Sequence, residues 1–153
     1  MSTNSNTVTT HTSGAWHDIT GLAVTLTPAA TSSKILIMLD TNTGTTAGGG
    51  NLYGHGRILM SGGATGTSFL GTDPSNNTLI GNFSFANGEH AYTKQLSVSW
   101  HAWYVPNTTS ATTWQAQVHA PGSVVIVNGC GEDDNHANNG RYSSTITAIE
   151  IGA

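Results

Sequence analysis

An all-β fold, an antiparallel β-sandwich of jelly-roll-like form with about eight strands, is what this sequence predicts, and three observations lead there. Only 8% of the 153 residues are charged, too few to dress the solvent faces of helices, which draw on Lys, Glu and Arg. The 19 glycines and the abundance of Thr, Ser and Asn suit tight turns and pleated, half-buried surfaces. Strand-like segments recur at intervals of roughly 8 to 15 residues between Gly, Asn, Pro and Ser, and no window has helical spacing.

Residues 1–13 are polar and Thr-rich without an apolar period, and read as an N-terminal arm ahead of a single sandwich domain over 14–153. Such an arm has too few apolar groups to hold itself down, so a neighbouring chain is expected to fix it; the alternative is an arm lying on its own domain. Leu22, Val24 and Leu26 alternate with Ala23, Thr25 and Thr27, giving one buried face, and Pro28 ends the segment. Residues 35–39 are apolar at every position, which predicts a central strand covered on both sides. Segments 53–60, 79–85, 95–105, 112–119, 123–128 and 144–151 complete the set. Asn87-Gly88, Asn128-Gly129 and Asn139-Gly140 supply positive-φ turn pairs, and 44–50 and 61–77 read as long loops.

In 95–105 the even positions Leu96, Val98, Trp100, Ala102 and Tyr104 point inward, while Ser97, Ser99, His101 and Trp103 point out. Trp114, Ala116 and Val118 alternate in the same way with Gln115, Gln117 and His119. The short link 106–110 predicts a hairpin that sets Trp100 opposite Val118, Tyr104 opposite Trp114, His101 opposite Gln117 and Ser99 opposite His119. Its outer face would gather His101, Trp103, Gln115, Gln117 and His119. Three readings of that face stand side by side: a plain solvated surface, a protein interface, and a glycan site in which an aromatic ring is flanked by amides and imidazoles.

Four bases against eight acids give a net charge of −4 and argue against nucleic acid, which needs clustered cations. No apolar run is long enough to span a bilayer, and the start has neither the basic nor the apolar region of a secretion signal. Cys130 is the one cysteine, so no internal disulfide forms. Protonating all seven histidines would turn the net charge positive. Most of them are expected to be hydrogen-bonded surface groups, with a pH-sensitive assembly as the alternative.

No nucleophile elbow, phosphate cradle or nucleophile–base–acid motif is present, so no enzyme and no cofactor are expected. Glu132, Asp133, Asp134, Asn135 and His136 could hold a hard cation, but the run lacks the spacing of a calcium loop and reads as a solvated tip; no metal is predicted. Glu150, within an apolar strand, is expected at an edge or paired with Lys34 or Arg57.

Several segments taken in order carry a family resemblance: Trp16 to Leu22, Val24 to Pro28, Thr31 to Ile37, Arg57-Ile58-Leu59 with Gly62, Pro106 to Trp114, and Ser144 to Ile151. Together they resemble a β-sandwich module of tailed-bacteriophage virion proteins, known from capsid decoration or cement proteins and from tail-fibre C-terminal domains. The likeness spans most of 14–153. It implies a jelly-roll-like sandwich that assembles as a homotrimer on the virion, with the major capsid protein or other virion proteins as partners, and it supplies no catalytic residues. The chain starts at Met1 directly before the module, without a fibre shaft, which suits a decoration protein stabilising the head. The alternative is the receptor-binding tip of a tail fibre or spike that contacts host-surface carbohydrate.

Overall fold

The computed structural model describes residues 1–7, 9–12, 14–46, 52–63, 83–87, 95–120, 124–129 and 140–152. They form ten strands: β1 (Ser2–Ser5), β2 (Thr9–Thr12), β3 (Trp16–Leu26), β4 (Lys34–Thr46), β5 (Leu52–Gly62), β6 (Phe83–Asn87), β7 (Gln95–Tyr104), β8 (Thr112–His119), β9 (Val124–Val127) and β10 (Ser144–Ile151). Two antiparallel sheets result. The front sheet runs β1-β10-β4-β9-β2 with β7 also on β4, and the back sheet runs β3-β8-β5-β6.

The register explains the front sheet's odd order. β10 pairs with residues 34–40 of β4 and β9 with residues 43–46, so the two lie end to end along one edge while β7 occupies the other. β1 and β2 likewise follow one another along β10 and β9. Counting each end-to-end pair as one broken strand leaves four strands per sheet, and the eight-strand sandwich expected from the sequence is what forms. The eight segments read from the sequence overlap β3 through β10, with 79–82 and 123 outside the described residues, and residues 44–46, read as the start of a loop, extend β4.

Alternation places the core. Ile35, Ile37 and Leu39 from the front sheet meet Ile19, Leu22, Val24, Ile58, Met60, Trp114, Ala116 and Val118 from the back sheet. Gly56 sits inward opposite Phe83, and a Cβ there would run into the Phe83 ring, so the glycine makes room for the aromatic cover. In β3 the pairing with β8 jumps between Asp18 and Ala23, and Gly21 (φ 77°) turns this bulge.

Asn128 closes the break between β9 and β10. It is fully buried at φ 63°, as expected of Asn before Gly129. Its N–H donates to Asn42 O (2.9 Å), and its carbonyl accepts from Tyr142 N–H (3.1 Å). Its Nδ2 donates to Ser5 O (3.0 Å) and Thr7 O (3.2 Å), and its Oδ1 accepts from Ser144 Oγ (2.6 Å). One residue therefore joins the arm and the start of β10 through its side chain and the central strand β4 through its backbone.

Four expectations change. The hairpin of 95–105 with 112–119 does not form: β7 pairs with β4, and β8 pairs with β3 and β5. The link after Tyr104 crosses between sheets, so the two inward faces oppose each other through the core, and their shared alternation fits this packing as well as a hairpin. The arm is not left to a neighbour: β1 and β2 hydrogen-bond to their own sheet, Met1 exchanges bonds with Ala148, and Ser5 Oγ donates to Thr20 O (2.9 Å) on the bulge. Glu150 lies beyond the β1 ladder on the open side of β10, as the edge alternative had it, and in place of the salt-bridge alternative it accepts from Ser33 and from Ala29 N–H (2.8 Å), which hold its carboxyl below the usual range and brace the β3–β4 turn. Residues 35–39 are covered on one side by the core, while Leu36 and Met38 lie half-buried on the outer face.

Candidate functional site

The five candidate residues divide between two opposite outer faces. His101 and Trp103 are exposed on β7 of the front sheet, whereas Gln115, Gln117 and His119 are on β8 in the middle of the back sheet. The structure does not bring the two groups together.

On the back sheet, contacts within the chain already occupy the three β8 residues. Gln115 Nε2 donates to Ile19 O (3.0 Å), Leu22 O (3.3 Å) and Ala116 O (2.8 Å), stapling the β3 bulge. Gln117, 7% exposed, accepts from Arg57 Nε (2.7 Å) and donates to Asp18 Oδ1 (2.6 Å). Arg57 lies over the Trp16 ring at 4.2 Å; burial lowers its pKa and Asp18 opposes the shift. His119 packs between Trp16 (5.4 Å) and His55 (6.4 Å), ring centroid to ring centroid.

The front sheet's outer face is different. Its register rows are Ile149–Leu36–Trp103 and Thr147–Met38–His101, with Thr145–Asp40–Ser99 beyond them and Lys34 opposite Ile151 at the near end. At the far end polar side chains satisfy one another: Ser99 Oγ donates to Asp40 Oδ1 (2.5 Å) and Ser97 Oγ to Asn42 Oδ1 (2.7 Å). The near end is apolar and open, with Trp103 at 55%, Ile151 at 45%, Ile149 at 40% and Val105 at 37% exposure. A cleft of about 460 Å³ opens there between Lys34, Trp103, Tyr104, Val105 and Ile151. Burial raises the Tyr104 pKa.

Leu36, Met38, Ile149 and Ile151 were absent from the sequence-derived site. The signal was available in β4 and β10, whose apolar residues outnumber the positions of a single face. Cross-strand rows of Ile, Leu and Trp give a dry, adaptable contact surface, suited to another protein more than to bond-breaking chemistry. Among the described residues no group of three or more His, Cys, Asp or Glu could hold a metal ion. Cys130 and the acidic run 132–136 lie outside the described residues.

No protein-family model matches the chain, and no curated protein matches it in sequence.

Proposed function

We propose that the protein is a structural component of a tailed-phage virion, a homotrimeric decoration protein that reinforces the head. The uncovered apolar strip on the front sheet carries the reading. Leu36, Met38, Trp103, Val105, Ile149 and Ile151 form a patch that a neighbour's surface would take out of water. The ordered motifs that resemble virion modules suggest the setting.

The occupant is a second copy of this chain. Lys34 and Asp40 stand on the same face of β4, at opposite ends of the strip and six residues apart, about 20 Å in an extended strand. A head-to-tail contact, the kind that closes a cyclic trimer, sets Lys34 of one copy against the next copy's Asp40 with the apolar rows between. Bridging adjacent shell subunits then stabilises the assembled head by mass action.

Sedimentation of the purified chain tests the first step and is expected to give a trimer. Trp103→Ser is expected to weaken association at least about tenfold with the fold intact. Lys34→Asp weakens it as well, and adding Asp40→Lys to the same chain restores it. A protein that stays monomeric at high micromolar concentration, or a charge swap without rescue, overturns the head-to-tail trimer. Imaging of labelled particles tests the location: many copies over the head are expected, and a few at the tail exclude decoration.

A second reading, the glycan-binding tip of a fibre or spike, is favoured by the exposure of Trp103 beside His101 on one face. A competable glycan-array signal lost in Trp103→Ala, with labelled chain at the tail, would put it first.

A further inference from the structure

The N-terminal arm meets the back sheet at two histidines. His11 lies on β2, at the edge of the front sheet, and His17 on β3, at the edge of the back sheet; their rings are 5.4 Å apart and tilted by 33°. The contact therefore crosses the seam of the sandwich. His11 Nε2 lies 3.0 Å from Thr9 Oγ1, a partner within the arm itself, so that bond does not tie the arm to the body. His17 Nε2 is buried with no hydrogen-bond partner. β2 itself is held by the pairing of its four residues with β9, between the Asn128 bond to Thr7 O and the Gly14 N–H bond to Ala120 O, and such a short edge ladder opens more easily than central strands.

Among the described residues the surroundings offer little to neutralise a proton. β9 presents only Val and Ile along this ladder, and β8 presents His119. β5 brings His55 and Arg57, and β3 brings His17 and Asp18, whose carboxylate is engaged by Gln117. On the outer face behind His17, Trp16 carries the Arg57 guanidinium and packs on His119. One end of the sandwich thus gathers four histidines and an arginine against Asp18.

We propose that the His11–His17 contact is an acid-sensitive latch: protonating His11 against His17 drives β2 off the seam while β1 stays on β10 and the sandwich stays folded. Two imidazolium rings at this distance repel, and burial deprives them of water. Burial, and then the neighbouring His17, hold His11 below its ordinary 6.5; burial and His119 do the same to His55. A histidine with a lowered folded-state pKa is stabilising in its neutral form above 6.5. That contribution is lost as pH falls below 6.5 through the folded-state value. The latch is separate from the front-sheet strip and does not depend on what binds there.

Hydrogen exchange of the full chain, corrected for its intrinsic pH dependence, tests this. Amides of Thr9–Thr12 are expected to exchange about tenfold faster at about pH 5 than at about pH 7.5, while β8 amides stay protected. His11→Phe keeps a ring without a charge and is expected to flatten the dependence; His17→Phe is the second variant if the first does not fold. Equal β2 protection at both pH values overturns the latch. So does a pH dependence that persists in the folded variant, or loss of β8 protection together with β2.

Discussion

Replacing Asn128 by alanine tests the junction on which the front sheet depends. The side chain makes its bonds to Ser5 O, Thr7 O and Ser144 Oγ inside a fully buried site. Each is worth about 1 kcal/mol, for a loss of about 3 kcal/mol. Ser144 softens this because its Oγ also lies 3.0 Å from Thr41 Oγ1. Alanine must in addition adopt φ 63°, which costs about 1 kcal/mol, so the net expectation is about 3 kcal/mol. For a chain of this length that lowers Tm by about 6–12 °C. Asn128→Gly removes the same bonds but tolerates the backbone, and should lie about 1 kcal/mol closer to the wild type. Urea unfolding of the three proteins provides the comparison. An alanine variant within about 0.5 kcal/mol of wild type, or a glycine variant no better than alanine, would falsify the assignment of Asn128 as the junction.

Three further outcomes follow from other sites. Gly56→Ala should destabilise by about 1–3 kcal/mol, because its Cβ enters the Phe83 ring, and Phe83→Ala in the same chain should recover part of that loss in thermal denaturation. Gln115→Ala should cost about 1–2 kcal/mol in urea unfolding by unstapling the β3 bulge and leave self-association unchanged; altered association at constant stability would return Gln115 to the functional face. Glu150 has a lowered pKa, so its stabilising contribution is complete above 4.5 and is lost as pH falls through the folded value; Glu150→Gln should flatten the acid limb of the stability curve, measured from about pH 6 to about pH 3.

Which faces of the strands are buried was readable from alternation, and which strands are neighbours was not. Leu96 to Tyr104 and Trp114 to Val118 were assigned correctly to inner positions, yet one pattern serves side-by-side strands and strands facing each other across a core. Register is settled by backbone pairing and loop path, which leave no periodic mark. The arm shows the same limit: Thr, Ser and Asn can pair along an edge through main-chain groups without any apolar signature. Trp103 was recognised as outward-facing. Its true companions Leu36, Ile149 and Ile151 were hidden because a strand apolar at every position reads as covered twice, whereas the described residues supply one cover. Asn128 was visible as a turn former through Asn128-Gly129, but its hold on Ser5 and Thr7 joins residues more than a hundred positions apart.

The stretch between Gly129 and Gly140 leaves and re-enters what is otherwise a single path along β4. Residues 43–46 of β4 fix the strand before the departure and residues 34–40 fix the strand after the return, each without reference to how many residues lie between. The two ladders are therefore set independently of each other, and the bond from Ser144 Oγ to Asn128 Oδ1 marks where they meet.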